Sequence, residues 1–278
     1  MRDGVTEGSK VVTDSRLLDG LTAIASRAAA AIVAIALPAL AQRSKPDDSP
    51  VTIADEASQD VIFEGLGRLL PGVPVVSEEA VTAIGPGALG RQFILVDPLD
   101  GTRELLAGRD EFTVNIALVN DGQPIAGVVA APARGIVWRG MLGADAERFV
   151  LAPGSELQAA RERTPIHTRA RPEHALVALV SRSHLDPVTE AYIARLKPAE
   201  RISCGSSLKF CRLAEGAADI YPRLTATSEW DIAAGHAVLA CAGGAVTTPE
   251  GGALIYGRSG FRIPAFIAWG DYAASIAR

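Results

Sequence analysis

Leu17, Leu21, Ile24, Ala28, Ile32 and Ile35 recur at intervals of three and four. That is the stripe of one helix face, with Asp14 or Ser15 placed to cap its start. The helix is expected to end before Lys45-Pro46, with a loop from Pro46 to Thr52. A second stripe (Val61, Ile62, Leu66, Leu69, Leu70) starts near Ala54 and stops at Pro71-Gly72. Short β-like runs follow at Val73–Val76 and Phe93–Val96. Thr113–Val119, Ile125–Ala130 and Ile136–Met141 then read as consecutive strands joined by turns such as Asn120-Asp121-Gly122. After a polar, arginine-rich stretch from Arg161 to Arg171 the texture changes. A strand at Ala175–Val180 leads to a helix over Pro187–Leu196. Ser206 or Ser207 caps another helix ending at Gly216, and Glu229 to Asp231 opens one ending at Gly243-Gly244. The first half (about 15–150) thus reads as two helices over a meander, an α+β pattern, and the second (about 151–278) as alternating α/β. Residues 1–14 read as a polar leader, and 15–278 as a single catalytic unit.

The charge balance changes what such a chain can bind. There are 27 Lys and Arg against 32 Asp and Glu, a net −5, which argues against a nucleic-acid partner held on a basic surface but not against a small anionic substrate. Cys204, Cys211 and Cys241 cannot close a disulfide framework and lack the spacing of a zinc site. They suit small apolar gaps in a cytoplasmic protein, with Cys204 beside Gly205 as a candidate redox-sensitive thiol. The uncharged stretch Ala28–Ala41 is too short to span a bilayer and is broken by Pro38.

Acidic residues end several of the apolar runs: Asp55, Glu78 with Glu79, Asp97 with Asp100, and Asp231. A lone acid before a helix is ordinarily an N-cap. Asp97-Pro98-Leu99-Asp100-Gly101-Thr102 asks for more. Pro98 forces a turn that swings both carboxylates to one side, where they repel unless a cation lies between them. Oxygen ligands of this kind suit Mg²⁺ or Mn²⁺ completed by a substrate phosphate. Gly101 allows close approach of an anion, and Thr102 starts a short helix (Thr102–Leu106) whose free N–H groups favour phosphate.

Pro50-Val51-Thr52-Ile53-Ala54-Asp55, Ser77-Glu78-Glu79, Asp97 to Thr102, and Trp230-Asp231-Ile232-Ala233-Ala234-Gly235 followed by Ala242-Gly243-Gly244 resemble the successive motifs of the inositol monophosphatase superfamily. The likeness spans about residues 15–270. It implies a layered α/β/α/β fold and lithium-sensitive, magnesium-dependent phosphatase chemistry. Val180 to His184, Gly205 to Cys211, Ala214-Glu215-Gly216, Tyr221-Pro222-Arg223 and Ala233 to Val238 resemble, within it, the bacterial 3'(2'),5'-bisphosphate nucleotidases of sulfate assimilation. These release the 3'-phosphate of adenosine 3',5'-bisphosphate to leave AMP, with the sulfated precursor 3'-phosphoadenosine 5'-phosphosulfate as a further substrate.

The resemblance implies Glu78, Asp97, Asp100 and Asp231 as metal-ligand carboxylates, the Leu99 carbonyl as a further ligand, and Glu79 beside them or on an additional ion. It assigns Asp55 and Thr102, with Glu78, to the positioning and deprotonation of the attacking water. Two or three Mg²⁺ ions are implied, with Mn²⁺ as a substitute and Li⁺ and Ca²⁺ as inhibitors. His184, Ser206, Lys209 and Arg223 match positions lining the nucleotide pocket. Lys209, one turn into a helix, suits a distal phosphate as a point charge and Arg223 suits it bidentately; each is equally read as a solvated surface cation, and His184 as a polar residue before the helix at Pro187. His236, five residues and 500° after Asp231, points elsewhere and is expected to pack or bond internally. Trp230 is expected to pack and fix Asp231. The substrate implied is a nucleotide, and the molecule a monomer or homodimer. The alternatives are an inositol monophosphatase, a fructose 1,6-bisphosphatase, or a non-catalytic nucleotide sensor.

Overall fold

The structure, a computed structural model, describes residues 14–35, 43–44, 50–83 and 89–273. The expected leader therefore lies outside the described residues except for Asp14, as do the end of the first apolar stretch and most of the loop after Lys45.

Helix α1 (Ser15–Val33) starts where Asp14 accepts a hydrogen bond from the Arg16 N–H. Helix α2 (Ile53–Leu69) starts with a capping box between Thr52 and Asp55. Both lie on one face of a seven-stranded sheet: β1 (Val75–Ser77), β2 (Gln92–Asp100), β3 (Thr113–Asn120), β4 (Gln123–Ala131), β5 (Ile136–Met141), β6 (Glu147–Val150) and β7 (Arg161–Pro165), in that spatial order. Only β1 and β2 run parallel. Alternation divides the sheet's two faces. Ile94, Val96, Ile116, Leu118 and Val128 pack with α1 and α2, while Phe93, Leu95, Ala117, Val119 and Val129 face the opposite core. The short helix α3 (Thr102–Leu106) follows β2.

The second sheet has spatial order β9-β8-β10-β12-β11, from β8 (Val177–Ser181), β9 (Glu200–Cys204), β10 (Ile220–Arg223), β11 (Ala245–Thr247) and β12 (Phe266–Trp269). Helices α5 (Leu208–Ala214) and α6 (Ala233–Cys241) contact both sheets, and α4 (Pro187–Leu196) covers the second sheet's outer face through Ile193 against Ala178, Val180 and Ile220. The layers are therefore α/β/α/β with α4 added outside. Gly127 and Gly140 let α6 settle on the first sheet: a Cβ at 127 would stand 2.4 Å from the Ala234 carbonyl oxygen, and one at 140 would stand 2.9 Å from the Cys241 Cβ. That close seat fixes where the chain enters α6, immediately after Asp231.

Two expectations change. Arg161–Pro165, read as part of a polar connection, is the edge strand β7, so the first sheet runs past residue 150. Its five residues are exposed, and with no buried face they show no apolar alternation. The chain also does not turn at Pro98: β2 continues to Asp100, and the register slips between the pairs Asp97–Asn115 and Asp100–Thr113. Proline has no N–H for the ladder, and the strand accommodates it as a bulge with one extra residue.

Candidate active site

The bulge does the work expected of a turn. The Asp97 Oδ1 accepts a hydrogen bond from the Leu99 N–H at 3.1 Å, and Ser58 Oγ donates to the Pro98 carbonyl at 2.7 Å, tying the bulge to α2. Asp97 and Asp100 then both line one cleft of about 280 Å³. Glu78, on the turn after β1, and Asp231, before α6, reach the same place. One carboxylate oxygen each from Glu78, Asp97 and Asp231 lies within 4.8 Å of the others. Asp231 is held from behind by the Thr227 hydroxyl and by the Ser228 N–H at 3.1 Å, both on a two-residue strand paired with Arg262–Ile263. Asp100 stands beside this triple, with Ser207 Oγ 3.0 Å from its Oδ2. Burial first, then the charge of Asp231, pushes its carboxyl up to about 6, against the opposing pull of Lys209 and Ser207. So crowded a set of oxygen-only donors fits a hard divalent cation such as Mg²⁺. Glu79, on the same turn as Glu78, belongs neither to the triple nor to the cleft lining.

Asp55 is 2% exposed at the start of α2. Its Oδ2 accepts from the Thr52 N–H and hydroxyl, both at 2.8 Å, which leaves Oδ1 to face Thr102 Oγ1 at 3.2 Å. The Thr102 hydroxyl is equally 3.2 Å from the Leu99 carbonyl oxygen, so its single proton serves one acceptor at a time. Gly101 makes the bend before α3 possible at φ 94°, with the Glu111 carbonyl only 3.0 Å from where a Cβ would sit.

The nucleotide-side candidates meet in the same cleft: His184, Ser206, Lys209 and Arg223 all line it. Lys209 is no solvated surface cation. It is 4% exposed, its Nζ donates to the Cys204 and Ser206 carbonyls at 3.2 and 2.6 Å, and it lies 5.1 Å from the Tyr221 ring centre. Ser206 sits at φ +48°, a strained value for a side-chain-bearing residue, and its hydroxyl is buried without a partner. The Arg223 Nε is likewise buried and unbonded. Such atoms cost free energy unless a ligand completes them. Burial, then the charges of Arg223 and Arg103, holds the His184 imidazole below its ordinary value.

Sequence reasoning missed several supporting residues. Glu111 accepts from Arg182 at 2.8 and 3.0 Å and from the Gly205 N–H at 2.8 Å, bracing the loop that carries Ser206. Ser207, Thr227 and the buried Glu104 are also at the site. All act across long stretches of sequence or through hydroxyls, which leave no periodic signal. His236 is buried with Nδ1 2.8 Å from the Tyr256 hydroxyl and does not line the cleft, as its helical angle implied. Trp230 is buried against Phe261. The redox expectation for Cys204 is corrected: it is 4% exposed and burial pushes its thiol up, the opposite of a reactive thiolate. Among the described residues no helix is long and apolar enough to cross a membrane.

Residues 15–278 match the inositol monophosphatase family. The chain belongs to that family. It is 42% identical over 224 residues to the 3'(2'),5'-bisphosphate nucleotidase CysQ of Escherichia coli K12, covering 80% of this chain and 86% of the relative. It is 37% identical to the CysQ nucleotidase of Buchnera aphidicola, over 84% of this chain and 83% of that one. Among solved structures, CysQ from Bacteroides thetaiotaomicron superposes with a TM-score of 0.78 at 33% identity, covering 94% of this chain and 98% of that one.

Proposed function

We propose that residues 15–278 form a single catalytic unit, a Mg²⁺-dependent nucleotidase that removes the 3'-phosphate of adenosine 3',5'-bisphosphate, and of its 5'-phosphosulfate analogue, to leave the 5'-nucleotide and inorganic phosphate. One observation carries the reading: a single cleft joins the carboxylate triple Glu78, Asp97 and Asp231 to His184, Ser206, Lys209 and Arg223. The 42% identity to a nucleotidase supports the same substrate. A substrate with two phosphates needs such a two-part site: one phosphate at the carboxylates and their cations, the other at the cationic side chains.

A divalent cation on Glu78, Asp97, Asp100 and Asp231 supplies Lewis acidity, offsetting phosphate charge and making a nearby water easier to deprotonate. The chain's own residues do the rest. Thr102 Oγ1, donating to Asp55 Oδ1, offers its lone pairs to the attacking water and orients it toward phosphorus. As the water oxygen bonds to phosphorus, its proton passes to Thr102 Oγ1 while the Thr102 proton moves to Asp55. The bond from phosphorus to the 3'-oxygen breaks, and that oxygen leaves with a proton from solvent. Thr52 holds Asp55 in register for this transfer. Arg223, with its unbonded Nε, binds the 5'-phosphate, while Lys209 shapes the Ser206 loop and adds positive potential beneath it.

The test is kcat/KM on one preparation for adenosine 3',5'-bisphosphate, inositol 1-phosphate and fructose 1,6-bisphosphate. The bisphosphorylated nucleotide is expected to lead. A sugar phosphate in first place would overturn the assignment within the family.

A further inference from the structure

Glu104 has no part in the chemistry above, yet it is 3% exposed and lines the cleft two residues after Thr102. Its Oε1 accepts a hydrogen bond from Ser183 Oγ at 2.5 Å, and among the described residues Oε2 accepts none and the carboxylate has no ion pair. The neighbouring cation Arg182 is instead committed to Glu111. Room for Glu104 is made on purpose: a Cβ on Gly205 would stand 3.0 Å from its Cγ. Arg182 and His184 act on this buried carboxylate only through their charge and neither pairs with it directly, so it retains acceptor capacity toward the cleft. It is also the wrong charge for a phosphate, so neither phosphate of the substrate rests there. What it can accept is a hydrogen bond from a neutral donor. Because Glu104 lines the same cleft as the water-positioning Thr102 and the carboxylates Asp97 and Asp231, that donor belongs close to the reacting phosphorus.

We propose that Glu104 accepts a hydrogen bond from the ribose hydroxyl vicinal to the departing phosphate, and so selects ribonucleoside over deoxyribonucleoside bisphosphates. This rests on the nucleotidase reading and adds a specificity determinant to it. Ser183 orients the carboxylate from the second sheet, so the ribose is gripped between α3 and the loop after β8.

The experiment compares kcat/KM for adenosine 3',5'-bisphosphate with that for its 2'-deoxy counterpart, in the wild type and in Glu104→Gln and Glu104→Ala. Each ratio is taken within one protein, so differences in folding or metal loading cancel. A hydrogen bond to a charged acceptor gives the wild type roughly a 10- to 100-fold preference for the ribonucleotide. Glu104→Gln is expected to cut this ratio several-fold and Glu104→Ala to bring it to about one. A wild-type ratio near one, or a ratio unchanged in both variants, overturns the assignment of Glu104 and leaves the nucleotidase reading standing. No hydrolysis of either nucleotide by the wild type, alongside turnover of a sugar phosphate, overturns both.

Discussion

Glu78→Gln changes the charge of the carboxylate triple at constant shape. The three oxygens lie within 4.8 Å of one another. At that distance two unit charges repel by about 3.5 kcal/mol at an effective dielectric of 20 and by about 0.9 kcal/mol in bulk water. Glu78 is only half-buried, so solvent screens it and the lower figure applies. The substitution removes two of the three repulsions, or about 2 kcal/mol in the cation-free protein. For a chain of 278 residues, whose unfolding entropy is about 0.6 kcal/mol/K, that raises the unfolding midpoint by about 3 °C. In magnesium the order reverses, because the wild type gains binding free energy in its folded state that the variant largely forfeits. Thermal unfolding in excess chelator and again in millimolar Mg²⁺ reads both signs. A variant that is less stable than the wild type in chelator, or one that gains as much from magnesium, would refute the idea that these carboxylates are held together for a cation.

Burial pushes the His236 imidazole down from an ordinary 6.5 to about 4, so the fold refuses a proton that the unfolded chain accepts. Its share of stability is full above pH 6.5 and is lost as pH falls toward 4, with a ceiling of about 3 kcal/mol. Denaturant titrations at pH 7.5 and 5 should show a smaller pH loss in His236→Gln than in the wild type; equal losses would remove His236 as the cause. Arg223→Ala is expected to cost roughly 10- to 100-fold in kcat/KM on the bisphosphorylated nucleotide and little on a generic monophosphate, so an equal loss on both would argue against a 5'-phosphate contact. Lys209→Ala should also lower the unfolding midpoint, since Lys209 braces two loop carbonyls; an unchanged midpoint would mean that those bonds contribute nothing net.

Much of the molecule was legible where periodicity or side-chain caps marked it. The stripe from Leu17 to Ile32 and the Asp14 cap marked α1, and the apolar runs Thr113–Val119 and Ile125–Ala130, separated by the turn residues Asn120-Asp121-Gly122, marked the central strands, which are buried on both faces. The short strands β6, β9, β10, β11 and β12 went unlocated, because three to five residues give alternation too little length to register. At the site, the residue types of Asp97 to Thr102 announced the chemistry, but the bulge that aligns Asp97 with Asp100 depends on pairing with Thr113 and Asn115 in another strand. Lys209 shows the same limit. Its position on α5 was readable, while its burial under Ser206 follows from the left-handed turn before that helix.

The most direct measurement is product analysis after incubating the protein with adenosine 3',5'-bisphosphate, once with Mg²⁺ and once with excess chelator. With Mg²⁺ the expected products are 5'-AMP and inorganic phosphate in equal amounts, and with chelator the substrate should remain intact. Turnover that persists in chelator, or release of 3'-AMP in place of 5'-AMP, would contradict the proposed site and the orientation of the substrate within it.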